Sequence, residues 1–269
     1  MKRVAIVQMS STNRVAENLN TVTRRVAESV AAGAKCVVLP ENVAFLGTTD
    51  RDKLEVSEQP GEGPIQACFS ALARQYGIWL VGGTIPIREA SQDKVFASCW
   101  VWDNQGQVVA RYDKIHLFDV ELSSTDCYYE SQTIQPGNQV VCVDSPLGKM
   151  GLSVCYDLRF ADLYMALSKQ GAELLMVPSA FTAVTGKAHW EPLLRARAIE
   201  NLCYVLAPNQ TGIHVNGKAS YGHSMIIDPW GKPLALQEAG EGILLADIDL
   251  AYLSDLRSRF PVLQHRKTL

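Results

Sequence analysis

A carboxylate, an amine and a thiol each stand at the end of a predicted strand in this sequence. Glu41 directly follows the apolar run CVVLP, and Lys114 follows a strand that ends in ARYD. Cys155 ends the strand GLSV and precedes a turn into a helix. Ligands bind beyond the carboxyl ends of strands in α/β sheets, so we expect the three side chains to converge on one pocket. Together they would place a nucleophilic thiol and two ionisable groups in one pocket.

Cys155 is the candidate nucleophile, because a strand–Cys–turn–helix arrangement directs a thiol out of the sheet. It also leaves the next N–H, that of Tyr156, near the helix start, where it can hydrogen-bond a developing oxyanion. Each residue has a structural alternative when taken alone. Cys155 would then be a buried core cysteine, Glu41 a solvated loop carboxylate and Lys114 a surface lysine.

Strands alternate with helices along the chain, which predicts a layered α/β domain. Apolar residues spaced by three and four predict an amphipathic helix over 15–32 that is stopped by Gly33. The DNQG turn predicts a hairpin over 95–112, followed by a long irregular stretch over 113–139. Further helices are expected over 65–76, 161–169 and 252–260, with another around Trp190 that holds Pro192 in its first turn. Strands are expected over 4–9, 36–40, 78–84, 149–155 and 173–178, with more between 203 and 249.

Composition describes an ordinary globular protein. The 269 residues are 47% apolar and 20% charged, with a formal net charge of −3. These values argue against disorder and against an electrostatic nucleic-acid or membrane-surface binder. The apolar run at the N-terminus is too short for a signal peptide or a membrane span. Seven scattered cysteines without a C-x-x-C pair argue against a disulfide framework or a zinc knuckle, and we expect the cytoplasm.

Three sequence blocks resemble the signatures of the nitrilase superfamily of carbon–nitrogen hydrolases. They are PEN at 40–42, RYDKIHLFD at 111–119 and GLSVCYDLRF at 151–160. They occur in the family's order, and the resemblance runs almost end to end. It implies a four-layer α-β-β-α sandwich, formed by a single domain over 1–269. It also implies association into a homodimer or higher homo-oligomer, for which the C-terminal tail 261–269 is a candidate interface segment.

The resemblance further implies a catalytic triad of Glu41, Lys114 and Cys155, with a second family glutamate at Glu130. In that mechanism the Cys155 thiolate attacks an amide carbonyl, and Glu41 accepts its proton and later passes it to the leaving amine. Lys114 and the Tyr156 N–H hold the oxyanion, and water then hydrolyses the thioester. Glu130 orients Lys114 or the water. No metal or other cofactor is required, and the partner is a small-molecule amide.

Blocks at 178–181, 189–200 and 220–231 look most like the branch of the superfamily that cleaves deaminated glutathione. The implied substrate joins 2-oxoglutarate to cysteinylglycine and carries a carboxylate at each end. We therefore expect cationic or amide donors at the pocket, with Arg159 and Phe181 binding substrate. Arg159 has an alternative role, an ion pair that braces the turn after Cys155. Arg195 and Arg197 are weaker candidates, since helix arginines usually face solvent or partners in their own helix.

Three alternatives stay open at this point. An ω-amidase would act on 2-oxoglutaramate or 2-oxosuccinamate with the same triad. A catalytically silent family member would serve as a binding protein. A Cys–His hydrolase would lose turnover on substitution of a histidine and not of Lys114, although none of the five histidines lies in a local cysteine-protease signature.

Overall fold

The computed structural model describes residues 2–89, 93–124 and 126–267. Its helices are α1 (Val15–Ala31), α2 (Pro64–Tyr76), α3 (Ala161–Lys169), α4 (Ala183–Asn201) and α5 (Leu250–Arg259). The strands of its first half are β1 (Lys2–Gln8), β2 (Cys36–Val38), β3 (Trp79–Val81), β4 (Ile85–Ile87), β5 (Phe96–Trp102), β6 (Val108–Asp113), β7 (Asp119–Glu121) and β8 (Cys127–Tyr129). Those of its second half are β9 (Cys142–Val143), β10 (Met150–Leu152), β11 (Leu174–Met176), β12 (Tyr204–Ala207), β13 (Thr211–Ile213), β14 (Ala219–Tyr221), β15 (Ser224–Ile227), β16 (Pro233–Gln237) and β17 (Gly242–Ile248).

Two mixed sheets carry the architecture. The first has seven strands in the order β17-β1-β2-β3-β5-β4, with β6 paired to β5. The second has six strands in the order β16-β15-β12-β11-β10-β9. Each sheet has a parallel centre, β1-β2-β3 in the first and β10-β11-β12 in the second. The carboxyl ends of these parallel strands therefore share one edge of each sheet.

Alternating side chains along the strands of the first sheet build two separate cores. Val4 and Ile6 of β1 point into the core between the two sheets. Ala5 and Val7, one residue out of phase, pack beneath α1 and α2. Such a period-two pattern with apolar residues on both faces is typical of a sheet covered on both sides.

Helices α3 and α4 cover the other face of the second sheet. Leu167 of α3 and Trp190 and Leu194 of α4 are fully or almost fully buried there. The order helices–sheet–sheet–helices confirms the predicted four-layer α-β-β-α sandwich.

Two predicted segments differ from the structure. Helix α4 begins at Ala183, where the Thr182 side chain accepts the N–H of Thr185 at 3.3 Å. Pro192 therefore lies well inside α4 and not in its first turn, because this N-cap lies upstream of the apolar residues from which the helix was read. The stretch 113–139 is also less irregular than expected, since β7 and β8 form a short antiparallel hairpin within it.

The C-terminal tail packs on its own chain as far as the structure describes it. The Arg266 guanidinium donates to the Asn201 side chain at the end of α4 at 2.9 Å. Residues 268–269 of the predicted tail 261–269 lie outside the described residues. None of the helices in the described ranges has the length and apolar character that a bilayer crossing requires.

Candidate active site

Three strand ends from the two sheets meet at one site. Glu41 follows β2 and Lys114 follows β6, both in the first sheet, whereas Cys155 follows β10 in the second. All three side chains line the same pocket, of about 120 Å³. Residues separated by 73 and 41 positions in sequence thus converge, as the strand-end pattern predicts.

Backbone strain marks two positions in this site. Cys155 has φ of 47° and Asn42, directly after Glu41, has φ of 55°. Non-glycine residues rarely adopt positive φ, and such conformations concentrate at functional sites. At Cys155 the conformation is fixed by its own N–H, which donates to the Pro178 carbonyl at 2.9 Å. The thiol is thereby held on a sharp turn between β10 and the short helix that follows.

The Lys114 ammonium links the two glutamates. Its Nζ lies 2.9 Å from Oε1 of Glu41 and 2.9 and 2.8 Å from the two carboxylate oxygens of Glu130. Only 2% of Lys114 is exposed. Burial by itself lowers the pKa of Lys114, but the charges of Glu130 and Glu41 outweigh it and raise the pKa well above its usual value. Lys114 is therefore a permanent cation in this site.

Both glutamates have a second fixed contact. Oε2 of Glu41 accepts the Ala180 N–H at 2.8 Å, and Oε2 of Glu130 accepts the Phe118 N–H at 2.7 Å. Each carboxylate is thus oriented by one ammonium and one backbone amide. Glu130 contacts Lys114 and also lines the pocket, and its role in orienting Lys114 or a water stays a prediction.

The Cys155 thiol is neutral in the resting site. Burial raises the pKa of Cys155 well above its usual value, and the charge of Glu41 raises it further, while Lys114 opposes both. Even when Cys155 is a neutral thiol, the site contains two carboxylates, those of Glu41 and Glu130, and one ammonium, that of Lys114. A thiolate would add a third negative charge in a region of low polarity. A nucleophilic Cys155 would therefore need a base to take its proton, and Glu41 is a carboxylate of the same pocket whose charge acts on this thiol.

An amide donor lies next to the nucleophile. Tyr156 is the second residue of a short 3-10 helix, Cys155–Arg159, where an N–H has no carbonyl partner within the helix. Tyr156 lines the pocket, as does Phe181. The sequence-predicted residues Glu41, Lys114, Glu130, Cys155, Tyr156 and Phe181 are thus brought together at one pocket.

Arg159 is not among the residues that line this pocket, and its substrate contact stays a prediction. Its guanidinium lies 5.2 Å from the ring centre of Phe181 and 5.7 Å from that of Tyr156. Its Nη1 lies 3.2 Å from Nδ1 of His189. These contacts join Arg159 to the Tyr156 ring of the nucleophile turn and to the Phe181 ring. Arg197 has a structural role, since it donates to the Leu158 carbonyl.

A buried aspartate joins the nucleophile turn to the lysine segment. Asp157 is fully buried and accepts the Val154 N–H at 2.8 Å and the Tyr112 hydroxyl at 2.6 Å. It also lies 3.0 and 2.7 Å from the backbone nitrogen and Nδ1 of His116. His116, which the sequence places beside Asp119, is thus paired with Asp157 and stacked on Phe160 at 3.7 Å.

Sequence reasoning missed several residues of the pocket. Lys53 comes from the segment after β2, and Lys218, His214 and Ser220 come from the β13–β14 hairpin. His214 Nε2 lies 2.8 Å from the Ser220 hydroxyl, and burial lowers the pKa of this histidine. No local motif marks these residues. The NG turn at 216–217 was the available signal for the hairpin, but not for what the hairpin covers.

Comparison with known proteins gives consistent matches across the chain. Residues 3–258 match the family described as carbon-nitrogen hydrolase. The deaminated glutathione amidase of Yersinia enterocolitica is 41% identical over 98% of this chain and 92% of its own length. The human protein of that name is 44% identical over 98% of this chain and 82% of its own length.

Solved structures agree with this result. The Caenorhabditis elegans NitFhit protein has a TM-score of 0.93 and 38% identity over 99% of this chain, which spans 65% of that longer protein. Saccharomyces cerevisiae Nit3, described as a member of branch 10 of the nitrilase superfamily, has a TM-score of 0.88. It is 32% identical over 97% of this chain and 94% of its own length.

Proposed function

Since this chain belongs to the carbon-nitrogen hydrolase family, we propose that it is a cysteine-dependent amidase whose substrate is deaminated glutathione. The reaction class, hydrolysis of a linear amide C–N bond, is that of the amidases it resembles over almost its whole length. One observation supports the mechanism, namely that the buried Cys155 thiol shares one pocket with the Glu41 carboxylate and the Lys114 ammonium, which lie 2.9 Å apart. The substrate is inferred from the relatives that are named deaminated glutathione amidase.

Acylation begins when the Cys155 sulfur attacks the amide carbonyl carbon and Glu41 takes the thiol proton. The carbonyl oxygen becomes an oxyanion, for which Lys114 and the Tyr156 N–H are the available donors. Lys114 already contacts three carboxylate oxygens, so the oxyanion takes the place of one of its two contacts with Glu130. An oriented donor of this kind typically contributes about 3 kcal/mol to the transition state.

Collapse of the tetrahedral intermediate breaks the C–N bond. Glu41, now protonated, gives its proton to the departing amine and leaves an acyl thioester on Cys155. Water then attacks the thioester carbonyl while Glu41 accepts a proton from that water. Departure of the Cys155 sulfur with a proton releases the carboxylic acid. The Ala180 N–H holds the Glu41 carboxylate in one orientation through both halves of the cycle.

Turnover of two amides tests the substrate. We expect deaminated glutathione to give 2-oxoglutarate and cysteinylglycine with a much higher kcat/KM than 2-oxoglutaramate, as measured by mass spectrometry and ammonia release. The reverse order would indicate an ω-amidase. Absence of turnover with every amide, together with no acyl adduct on the peptide that contains Cys155, would indicate a silent binding protein.

We also propose a homodimer built from this single domain. Trp230, Ile199 and Phe260 form an exposed apolar group, with 59%, 46% and 46% of each residue exposed. Exposed apolar patches of this kind favour association. Light scattering of the parent and of Trp230→Lys tests it, since a monomeric parent would contradict the proposal.

The seven cysteines are all free, which suits the reducing cytoplasm that we propose as the compartment.

A further inference from the structure

Two lysines of the pocket lack a close carboxylate partner. The side chain of Lys53 is only 13% exposed, yet its Nζ has Asp50 alone as an ion-pair partner within the described residues, at 4.0 Å. This distance is too long for a hydrogen bond, and the Asp50 side chain is itself 57% exposed. A largely buried ammonium with such weak compensation is costly. Its donors are available to a bound anion.

Lys218 is similarly available from the opposite segment of chain. Its Nζ lies 3.4 Å from the ring centre of Tyr128 and donates to the Cys127 carbonyl at 2.8 Å. In the described part of the chain no carboxylate lies within ion-pair distance of it. The aromatic ring and the carbonyl hold the ammonium in place without neutralising its charge. Lys218 is therefore a fixed cation that lines the pocket.

The ionisable residues of the pocket divide into two groups of opposite net charge. The catalytic group holds Glu41 and Glu130 against Lys114, and it is net negative with a neutral thiol. The other group holds Lys53 and Lys218 against Asp50, and it is net positive. A substrate carboxylate is repelled by the first group and attracted by the second. The division therefore orients an anionic amide with its C–N bond toward Cys155.

We propose that Lys53 and Lys218 form the receptor for substrate carboxylates and restrict this amidase to anionic amides. The inference rests on the proposed function, because it assigns the substrate class of the same pocket. Two fixed ammonium groups match the two carboxylates of the proposed substrate. Arg159, by contrast, is not among the residues that line the pocket.

Protection of Cys155 from a neutral alkylating reagent tests this binding without requiring turnover. Acrylamide modifies the thiol, mass spectrometry follows the peptide that contains Cys155, and 2-oxoglutarate is the protecting ligand. In Lys53→Met and Lys218→Met, half-protection should need about 10- to 100-fold more 2-oxoglutarate than in the parent, since charge-assisted bonds are lost. Each variant's own unprotected rate is its reference, so that a change in the reactivity of the thiol itself does not count as a change in protection.

Conservative and remote variants complete the design. Lys53→Arg and Lys218→Arg should restore most of the protection, because they keep the positive charge. Lys169→Met, on an exposed residue of α3 outside the pocket, should match the parent. Unchanged protection in both methionine variants would overturn the inference.

Kinetics separate this inference from the proposed function. The ratio of kcat/KM for deaminated glutathione to that for propionamide, a neutral amide, should fall about 10- to 100-fold in each methionine variant, through KM of the anionic substrate. A parent that turns over deaminated glutathione, with variants that keep the parent ratio, would overturn only the lysine receptor. A parent that cleaves no amide would overturn the proposed function, while the protection assay would still decide the receptor.

Discussion

Replacement of Glu41 by glutamine should separate the two effects that this carboxylate has on Cys155. As a base, Glu41 takes the thiol proton, so its loss should slow both acylation and thioester hydrolysis. General bases typically contribute about 10²- to 10⁴-fold, and we expect kcat to fall by at least a hundredfold. As a charge, Glu41 raises the pKa of Cys155, so its neutralisation should lower that pKa.

The lower pKa should make the variant thiol more reactive toward iodoacetamide at neutral pH. Each unit of decrease raises the thiolate fraction tenfold below the pKa, while the thiolate itself becomes about threefold less nucleophilic. The net gain is therefore about threefold per unit. Glu41→Gln should thus show slower turnover but faster alkylation, with the midpoint of the alkylation pH profile shifted to lower pH.

Stability should also decrease, for a reason visible in the contacts. The two oxygens of Glu41 accept from Lys114 and from the Ala180 N–H, whereas glutamine has only one acceptor oxygen. One buried donor then faces an NH₂ group, which costs about 1–3 kcal/mol. Glu58→Gln is the matched control, because Glu58 is a buried carboxylate that accepts backbone N–H groups of α2 outside the pocket. It should lose stability but keep turnover.

The reasoning has two points at which it would fail. Turnover of Glu41→Gln within tenfold of the parent would exclude Glu41 as the base. An alkylation midpoint unchanged from the parent would mean that Glu41 does not raise the pKa of Cys155. Something other than the charge of Glu41 would then keep this thiol protonated. Urea denaturation of the parent, Glu41→Gln and Glu58→Gln shows whether lost activity reflects lost folding.

Three further predictions concern the neighbours of this carboxylate. Cys155→Ser should lose nearly all turnover while remaining folded, because a carboxylate alone activates a hydroxyl poorly; activity within tenfold of the parent would exclude Cys155 as the nucleophile. Lys114→Ala should lower kcat by several orders of magnitude and raise the pKa of Cys155 further, since Lys114 lowers it; a change in KM alone would make Lys114 a binding residue. Asp157→Asn should cost about 2–4 kcal/mol of unfolding free energy in urea denaturation, because Oδ2 accepts from Val154 and Tyr112 while Oδ1 accepts the His116 N–H, and asparagine keeps only one of these two acceptors. Its kcat should also fall, since Val154 precedes the nucleophile, and parent values for both quantities would contradict the tie between Asp157 and the turn.

The sequence by itself determined the local elements and the chemical types at the strand ends. The three- and four-residue spacing in α1 and the turn before β6 are encoded within a few positions, so both elements were predicted close to their observed bounds. Glu41, Lys114 and Cys155 were identified because each stands at the end of a predicted strand. Resemblance to a family added their joint role and the four-layer sandwich, neither of which periodicity alone could supply.

Only the tertiary structure decided which other side chains reach the pocket. Lys53 and Lys218 are 165 positions apart in sequence, yet both line the pocket. They do so because a loop and a hairpin fold over the same edge of the sheet. Arg159 lies only four residues after Cys155, yet it packs against the Phe181 ring and is not among the residues that line the pocket. His116 pairs with Asp157, which is 41 positions away in sequence, and not with nearby Asp119. Local patterns fix a residue's type and element, whereas its partners depend on contacts between distant segments of the chain.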